Sequence, residues 1–215
     1  MRFNRTISVI AVTLALVASP AAVQASGKGG VAVEAVSSVS EQSLSALEIE
    51  NLMYMREEEK LARDVYLTMF DAWALAVFDN IAASEQTHTD SVKDMIEKYR
   101  LADPVVDDTV GVFVNQELAA LYADLIARGM QSSLEALYVG ALIEEVDMID
   151  LKRAIEETDN ADIRRLYENL MTGSRNHLRA YVGQIEDLGV VYEAQYLSQE
   201  EVDAIVDSPV ERGRR

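Results

Sequence analysis

The sequence predicts an all-α fold made of two antiparallel helical hairpins joined by a long crossover that contains a short helix. Three observations carry this prediction. Apolar residues recur at helical spacing, no stretch alternates cleanly enough to be a strand, and helix-capping patterns recur along the chain. The composition agrees: 215 residues, 49% hydrophobic and 26% charged, with 10 Gly and 3 Pro, belong to a globular chain rather than a disordered or fibrous one.

Residues 1–25 stand apart from the fold. Arg2 and Arg5 precede an uncharged run from Ile7 to Val17, and Val23-Gln24-Ala25 places small residues ahead of Ser26. The run is too short to span a bilayer, so the segment reads as a signal peptide and the protein as exported, periplasmic or secreted. An uncleaved anchor is the alternative; after cleavage no stable membrane span is expected. Residues 26–44 are rich in Ser, Gly, Ala and Val without helical period and read as a flexible leader.

The helical domain is expected over residues 45–190. Ser45-Ala46-Leu47-Glu48 is a capping box, in which hydroxyl and carboxylate satisfy backbone donors of the first turn. From it the first helix runs to about Phe70, with a break near Asp71 to Trp73. The second carries Leu75, Phe78, Ile81, Ala82, Val92 and Ile96 at helical spacing until Asp103-Pro104 ends it. Residues 101–131 make the crossover, with a short helix over 115–128 closed by Gly129. Ser132-Ser133-Leu134-Glu135 is another capping box and opens a third long helix, Thr158 to Asn160 turns the chain, and Ile163, Leu166, Leu170, Leu178, Tyr181 and Ile185 mark a fourth before Gly189. Residues 191–215 hold a short capped helix that stops before Pro209, then a tail. Two short-loop hairpins joined by one crossover have the connectivity of a ferritin-like four-helix bundle.

Charge and cysteine content narrow the function. Lys and Arg number 19 against 37 Asp and Glu, a net charge of -18 that becomes more negative when Arg2 and Arg5 are removed, and no nucleic-acid partner is expected. With 0 Cys there are no disulfides, thiolate metal sites or thiol nucleophiles. A metal must be held by oxygen and nitrogen.

The apolar stripes are interrupted by acids and histidines at matching depths. Glu144 replaces an apolar residue in the series Leu137, Ala141, Glu144, Met148, Leu151, and a lone carboxylate facing a core needs compensation. Glu85 and His88 have the E-x-x-H spacing that puts a carboxylate and an imidazole on one helix face, as di-metal bundle sites require. With the first turn centred on Ala72, Glu59 and Glu85 fall at one level; with the second centred on Asp159, Glu144 pairs with Ser174, and His177 lies one turn on. Both of the chain's 2 His therefore fall in one layer. Val77-Phe78-Asp79-Asn80 to His88 can also be laid on Leu166-Tyr167-Glu168-Asn169 to His177 with a constant offset of 89. In this internal repeat Glu85 corresponds to Ser174, so the second half-site has lost its acid.

The stretch Glu59-Lys60-Leu61-Ala62-Arg63-Asp64-Val65-Tyr66 resembles the first helix of rubrerythrin-related ferritin-like proteins, and NIAASEQTH with GSRNHLRAY resembles a ferritin-like family of unassigned function in that group. The resemblance covers roughly residues 47–188 and implies a di-iron-type centre with Glu59, Glu85, His88, Glu144 and His177 as ligands. Asp147 resembles the additional third-helix carboxylate of rubrerythrins and stands in for the acid missing at Ser174. The match also selects Glu59 from the run Glu57, Glu58, Glu59, whose other members read as a solvated face, while Glu145 reads as pointing outward or as supporting a ligand from behind. Arg63 and Arg175 read as orienting ligand carboxylates or making surface pairs, and Tyr66 and Tyr167 as core aromatics. Gly140, Gly173 and Gly183, inside helices at about 1 kcal/mol each relative to Ala, suggest close helix approach or a bulge.

The resulting expectation is a metal-binding protein that holds iron, in a di-iron or mononuclear site, and oxidises Fe(II) with oxygen or peroxide as a di-iron oxidoreductase or ferroxidase would; manganese and zinc suit the same donors. Its alternative is a metal-free helical bundle serving as an envelope interaction module. No signature of a mineral-storing shell is visible, and a monomer or dimer is expected.

Overall fold

A computed structural model describes residues 44–212; the signal-peptide reading for 1–25 and almost all of the leader lie outside the described residues. Six helices and no strand occur among the described residues: α1 (Ala46–Trp73), α2 (Ala76–Lys98), α3 (Gln116–Gly129), α4 (Ser133–Glu156), α5 (Ala161–Asp187) and α6 (Gln199–Val206). None is long and apolar enough to cross a membrane.

The capping boxes expected on α1 and α6 form, Ser45 with Glu48 and Ser198 with Glu201, whereas the one expected on α4 forms by half: Ser132 accepts from the Glu135 N–H but Glu135 turns to Arg128 instead of returning the bond; Asn115 also accepts from the first turn of α3. Glu48 also accepts from Thr158 and Asn160, which ties the start of α1 to the α4/α5 turn. Although burial pushes the Glu48 carboxyl up, these donors outweigh it and hold the carboxyl at about 2.

Three helix ends differ from the sequence reading: Gly129 does not close α3 but is its last helical residue, with Met130 as the cap. α1 does not break at Asp71 but continues to Trp73, whose indole N–H donates to the Gly129 carbonyl; the turn falls at Ala74, in left-handed conformation with φ 54°. α2 stops at Lys98, five residues before Asp103, because Arg100 turns left-handed at φ 57° and the Leu101 N–H caps the Ile96 carbonyl.

α1 packs along α2 and α4 along α5, and the hairpins meet through α1 with α4 and α2 with α5. The core is split. One apolar cluster, around Val65, Tyr66, Met69, Phe78, Leu137, Tyr181 and Ile185, fills the end near the α1/α2 turn. A second, around Leu52, Met55, Val92, Ile96, Leu151, Ile163 and Leu170, fills the other. Between them lies a layer of buried acids and histidines.

The connection after α2 runs over a charged flank of α1. Lys60, fully buried, donates to Asp64 and the Thr109 carbonyl and lies over the Phe113 ring. Arg56 pairs with Asp103, and Arg63 with Asp64 and Asp108. Glu57 accepts from the Val114 and Asn115 backbone N–H groups just ahead of α3. Past α5, Glu145 accepts the backbone N–H groups of Gln195, Tyr196 and Leu197 and the Tyr192 hydroxyl, pinning the C-terminal segment against α4.

Candidate metal centre

Each helix of the two hairpins contributes to the buried polar layer. α1 supplies Glu59, α2 Glu85 and His88, α4 Glu144 and Asp147, and α5 Ser174 and His177. Glu85 is central. It is 2% exposed, its Oε2 lies 2.7 Å from His88 Nδ1, and its Oε1 lies 2.7 Å from His177 Nδ1. Glu59 Oε2 stands 3.4 Å from His88 Nδ1, and Glu144 Oε2 3.5 Å from His177 Nδ1. The imidazoles stack with centroids 5.3 Å apart. Glu85, His88 and His177 thus form a buried group whose ligand atoms converge closely enough to hold a metal ion.

The contacts within this group are close but poor as hydrogen bonds. Glu85 Oε2, His88 Nδ1 and His177 Nδ1 are buried without an in-line partner, and so are Glu59 Oε1 and Asp147 Oδ1. Buried polar atoms without partners are rare and costly, and among the described residues five of the eight such side-chain atoms lie in this layer, the others being Glu58 Oε2 and the Tyr167 and Tyr181 hydroxyls. Carboxylate oxygens and imidazole nitrogens converging in this way become, once the imidazoles give up their Nδ1 protons, the donor set of a divalent cation.

Charge is distributed unevenly. Burial raises the Glu85 carboxyl, but His177 and His88 outweigh it and hold it below the usual range. Burial lowers the histidines, yet Glu85 with Glu59 raises His88 well above its ordinary value, and Glu85 with Glu144 brings His177 to about 10. Glu59 is raised to about 7, chiefly by burial and further by Glu85 against the pull of His88. Burial also raises Glu144, and raises Asp147 strongly with help from Glu59 and Glu144. Without a metal, protons do the balancing.

Asp147 is not solvated surface: it is 6% exposed, and its Oδ2 lies 2.5 Å from Ser174 Oγ, which is also 3.0 Å from the Leu170 carbonyl oxygen. The serine has one proton for two acceptors, a conflict removed when Asp147 carries its own proton. The solvated-face reading of Glu57 and Glu58 is corrected, since both are buried, and so is the outward reading of Glu145. Glu57 and Glu145 hold backbone donors, as described; Glu58 lies by Asp147, Asp150 and Glu59 and is raised well above the ordinary range by burial and by these acids. Arg63 and Arg175 touch none of the layer's carboxylates; Arg175 pairs with Glu211.

Two features were not in the sequence reading, and the close approach expected at Gly173 proves to be to a side chain. Tyr66, buried as expected, donates from its hydroxyl to Glu144 Oε1 at 2.5 Å. Ser84 Oγ lies 2.9 Å from His177 Nε2. Gly173 opens the space that His88 fills: a Cβ there would meet His88 Cε1 at 2.4 Å and Nε2 at 2.5 Å. Gly140 similarly admits the Tyr181 ring, whereas Gly183 faces open space and no close approach explains it. Gly173→Ala is therefore expected to push His88 off Glu85, weakening metal binding at least tenfold while the helix-propensity gain of about 1 kcal/mol partly offsets overpacking in the melting temperature. Isothermal titration with a divalent metal beside a thermal melt checks this; unchanged affinity would show that His88 is not a ligand.

Residues 48–209 match a family described as "Uncharacterized protein domain (DUF2202)". The chain belongs to the DUF2202 family. It is 51% identical over 181 residues to the uncharacterized protein MJ0754 of Methanocaldococcus jannaschii, an alignment covering 84% of this chain and 98% of that protein. It is also similar to the crystal structure of the hypothetical protein MJ0754 from Methanococcus jannaschii, with a TM-score of 0.78, covering 81% of this chain and 100% of that one. The matched DUF2202 span contains every residue of the buried layer.

Proposed function

We propose that this DUF2202 protein is an exported metalloprotein with a dinuclear carboxylate and histidine centre, built from Glu59, Glu85, His88, Glu144, Asp147 and His177 in a ferritin-like four-helix bundle. The observation that carries the reading is the concentration of buried, partnerless ligand atoms around Glu85, His88 and His177. Imidazole and carboxylate donors without thiolate suit iron and manganese, and also zinc. Iron bound there supplies one-electron chemistry toward oxygen or peroxide. The chain's own residues do the rest: Glu85 spans both histidines, Tyr66 orients Glu144, and the two apolar clusters close the layer above and below.

Because the histidines hold protons when no metal is present, binding must release them, and affinity rises with pH. Protein loaded with Fe(II) without oxygen is expected to retain up to two equivalents after desalting, more tightly at about pH 8 than at about pH 6, and to oxidise them on exposure to oxygen or peroxide. Failure to retain iron, manganese or zinc would favour the rival reading, a metal-free helical module whose acids and histidines neutralise one another.

A further inference from the structure

The two histidines occupy equivalent places in the internal repeat, yet their surroundings differ. An offset of 89 carries His88 onto His177 and, four residues earlier, Ser84 onto Gly173. Each of these earlier residues lies against the histidine of the other helix. Ser84 Oγ is 2.9 Å from His177 Nε2, while Gly173 presents only backbone to His88, close to its Cε1 and Nε2. Among the described residues no side chain holds His88 Nε2. The His88 side chain is also the more exposed, at 13% against 8% for His177.

An imidazole that ligates through Nδ1 keeps its proton on Nε2, and the acceptor of that proton fixes the ring's tautomer and orientation. With Nδ1 as the ligating atom, Ser84 Oγ is such an acceptor for His177, and among the described residues no side chain is one for His88. We infer that Ser84 is a positioning residue that locks His177 as the fixed nitrogen donor of the centre, while glycine at the repeat-related position leaves His88 as the displaceable donor through which a cation enters and leaves. The inference rests on the metal-binding reading and adds an order to its ligands. A serine at 173 would not restore the symmetry without moving His88, because its Cβ would lie 2.5 Å from His88 Nε2.

With 2 His in the chain, the rings can be followed individually by nitrogen-resolved NMR of the full chain loaded with zinc, which is diamagnetic. The His177 Nε2–H is expected to exchange with water at least tenfold more slowly than that of His88. In Ser84→Ala this protection is lost and zinc affinity falls 10–100-fold, the usual range for removing an outer partner of a ligand, while Ser84→Thr restores both. A merely structural serine would lower the melting temperature of the metal-free protein and leave the exchange ratio in the zinc form unchanged, which would overturn the inference. Equal exchange of the two ring protons in wild type, a readout needing no variant, would overturn it too and leave metal binding standing. Failure of the wild type to take up zinc or iron would instead remove the metal-binding reading, and the inference with it.

Discussion

Glu85→Gln is expected to destabilise the metal-free protein by about 3–5 kcal/mol near pH 6 and to weaken divalent-metal binding by about a hundredfold or more. One oxygen of Glu85 faces His177 and the other faces His88, each at 2.7 Å, so neutralising it leaves two buried imidazolium groups without their nearest anion. Removing one partner of a buried charged unit costs far more than the unit's net worth, because the remaining charge cannot return to water. The metal figure follows from structural zinc affinities of about 10–16 kcal/mol shared among four ligands, about 3 kcal/mol for each.

The pH profile distinguishes this unit from simple packing. Glu85 is depressed from its ordinary 4.5, so its contribution is present above that value and is lost as pH falls below it. The histidines are raised from 6.5, so theirs is full below that value and is lost as pH rises through about 10 for His177. The stability gap between wild type and Glu85→Gln should therefore be widest between about pH 4.5 and about pH 6.5 and narrow on both sides. Urea unfolding with a chelator at about pH 3, 6 and 10 measures it. A gap that is constant across the three would mean that Glu85 acts through shape and not charge.

The all-helical class and most helix starts were legible because local signals agreed with one another: capping patterns stood where helices begin, and apolar spacing stayed helical between them. The layer was legible because Glu144 and the two histidines interrupt stripes that are otherwise apolar. What escaped was burial of the opposite flank of α1. Glu57, Lys60, Arg63 and Asp64 have the charge pattern of a solvated face, but the connection before α3 lies over them and uses its carbonyl, amide and Asp108 groups as partners. Nothing in local periodicity marks a polar face that a distant loop will cover. Glu145 escaped for the same reason, since its partners are backbone N–H groups some fifty residues away. Ser84 and Gly173 did carry a signal, their equivalence in the repeat, although only the geometry shows that each meets the other helix's histidine.

Asp147→Asn and Ser174→Glu should move stability and metal binding in opposite directions. Asp147 is buried among acids with its carboxyl held well above the usual range, so at neutral pH the metal-free fold must either keep it protonated or bury its charge. Its unfavourable contribution grows as pH rises above its unfolded value of about 3.9 and is absent below it. Asparagine escapes this cost, so Asp147→Asn should gain about 1–3 kcal/mol at pH 7 and about nothing at pH 3 while retaining one metal equivalent instead of two. Ser174→Glu restores the acid missing from the second half-site but brings it against Asp147 Oδ2, now 2.5 Å from the serine hydroxyl. The metal-free variant should lose about 3–5 kcal/mol and recover much of it with saturating Fe(II) or Mn(II), because a ligand that binds only the folded state adds its binding energy to stability. In the double variant the new carboxylate should return the second equivalent that Asp147→Asn loses. Two retained equivalents in Asp147→Asn would remove Asp147 from the centre, and a loss in Ser174→Glu that metal does not repair would show that position 174 faces packing rather than a cation.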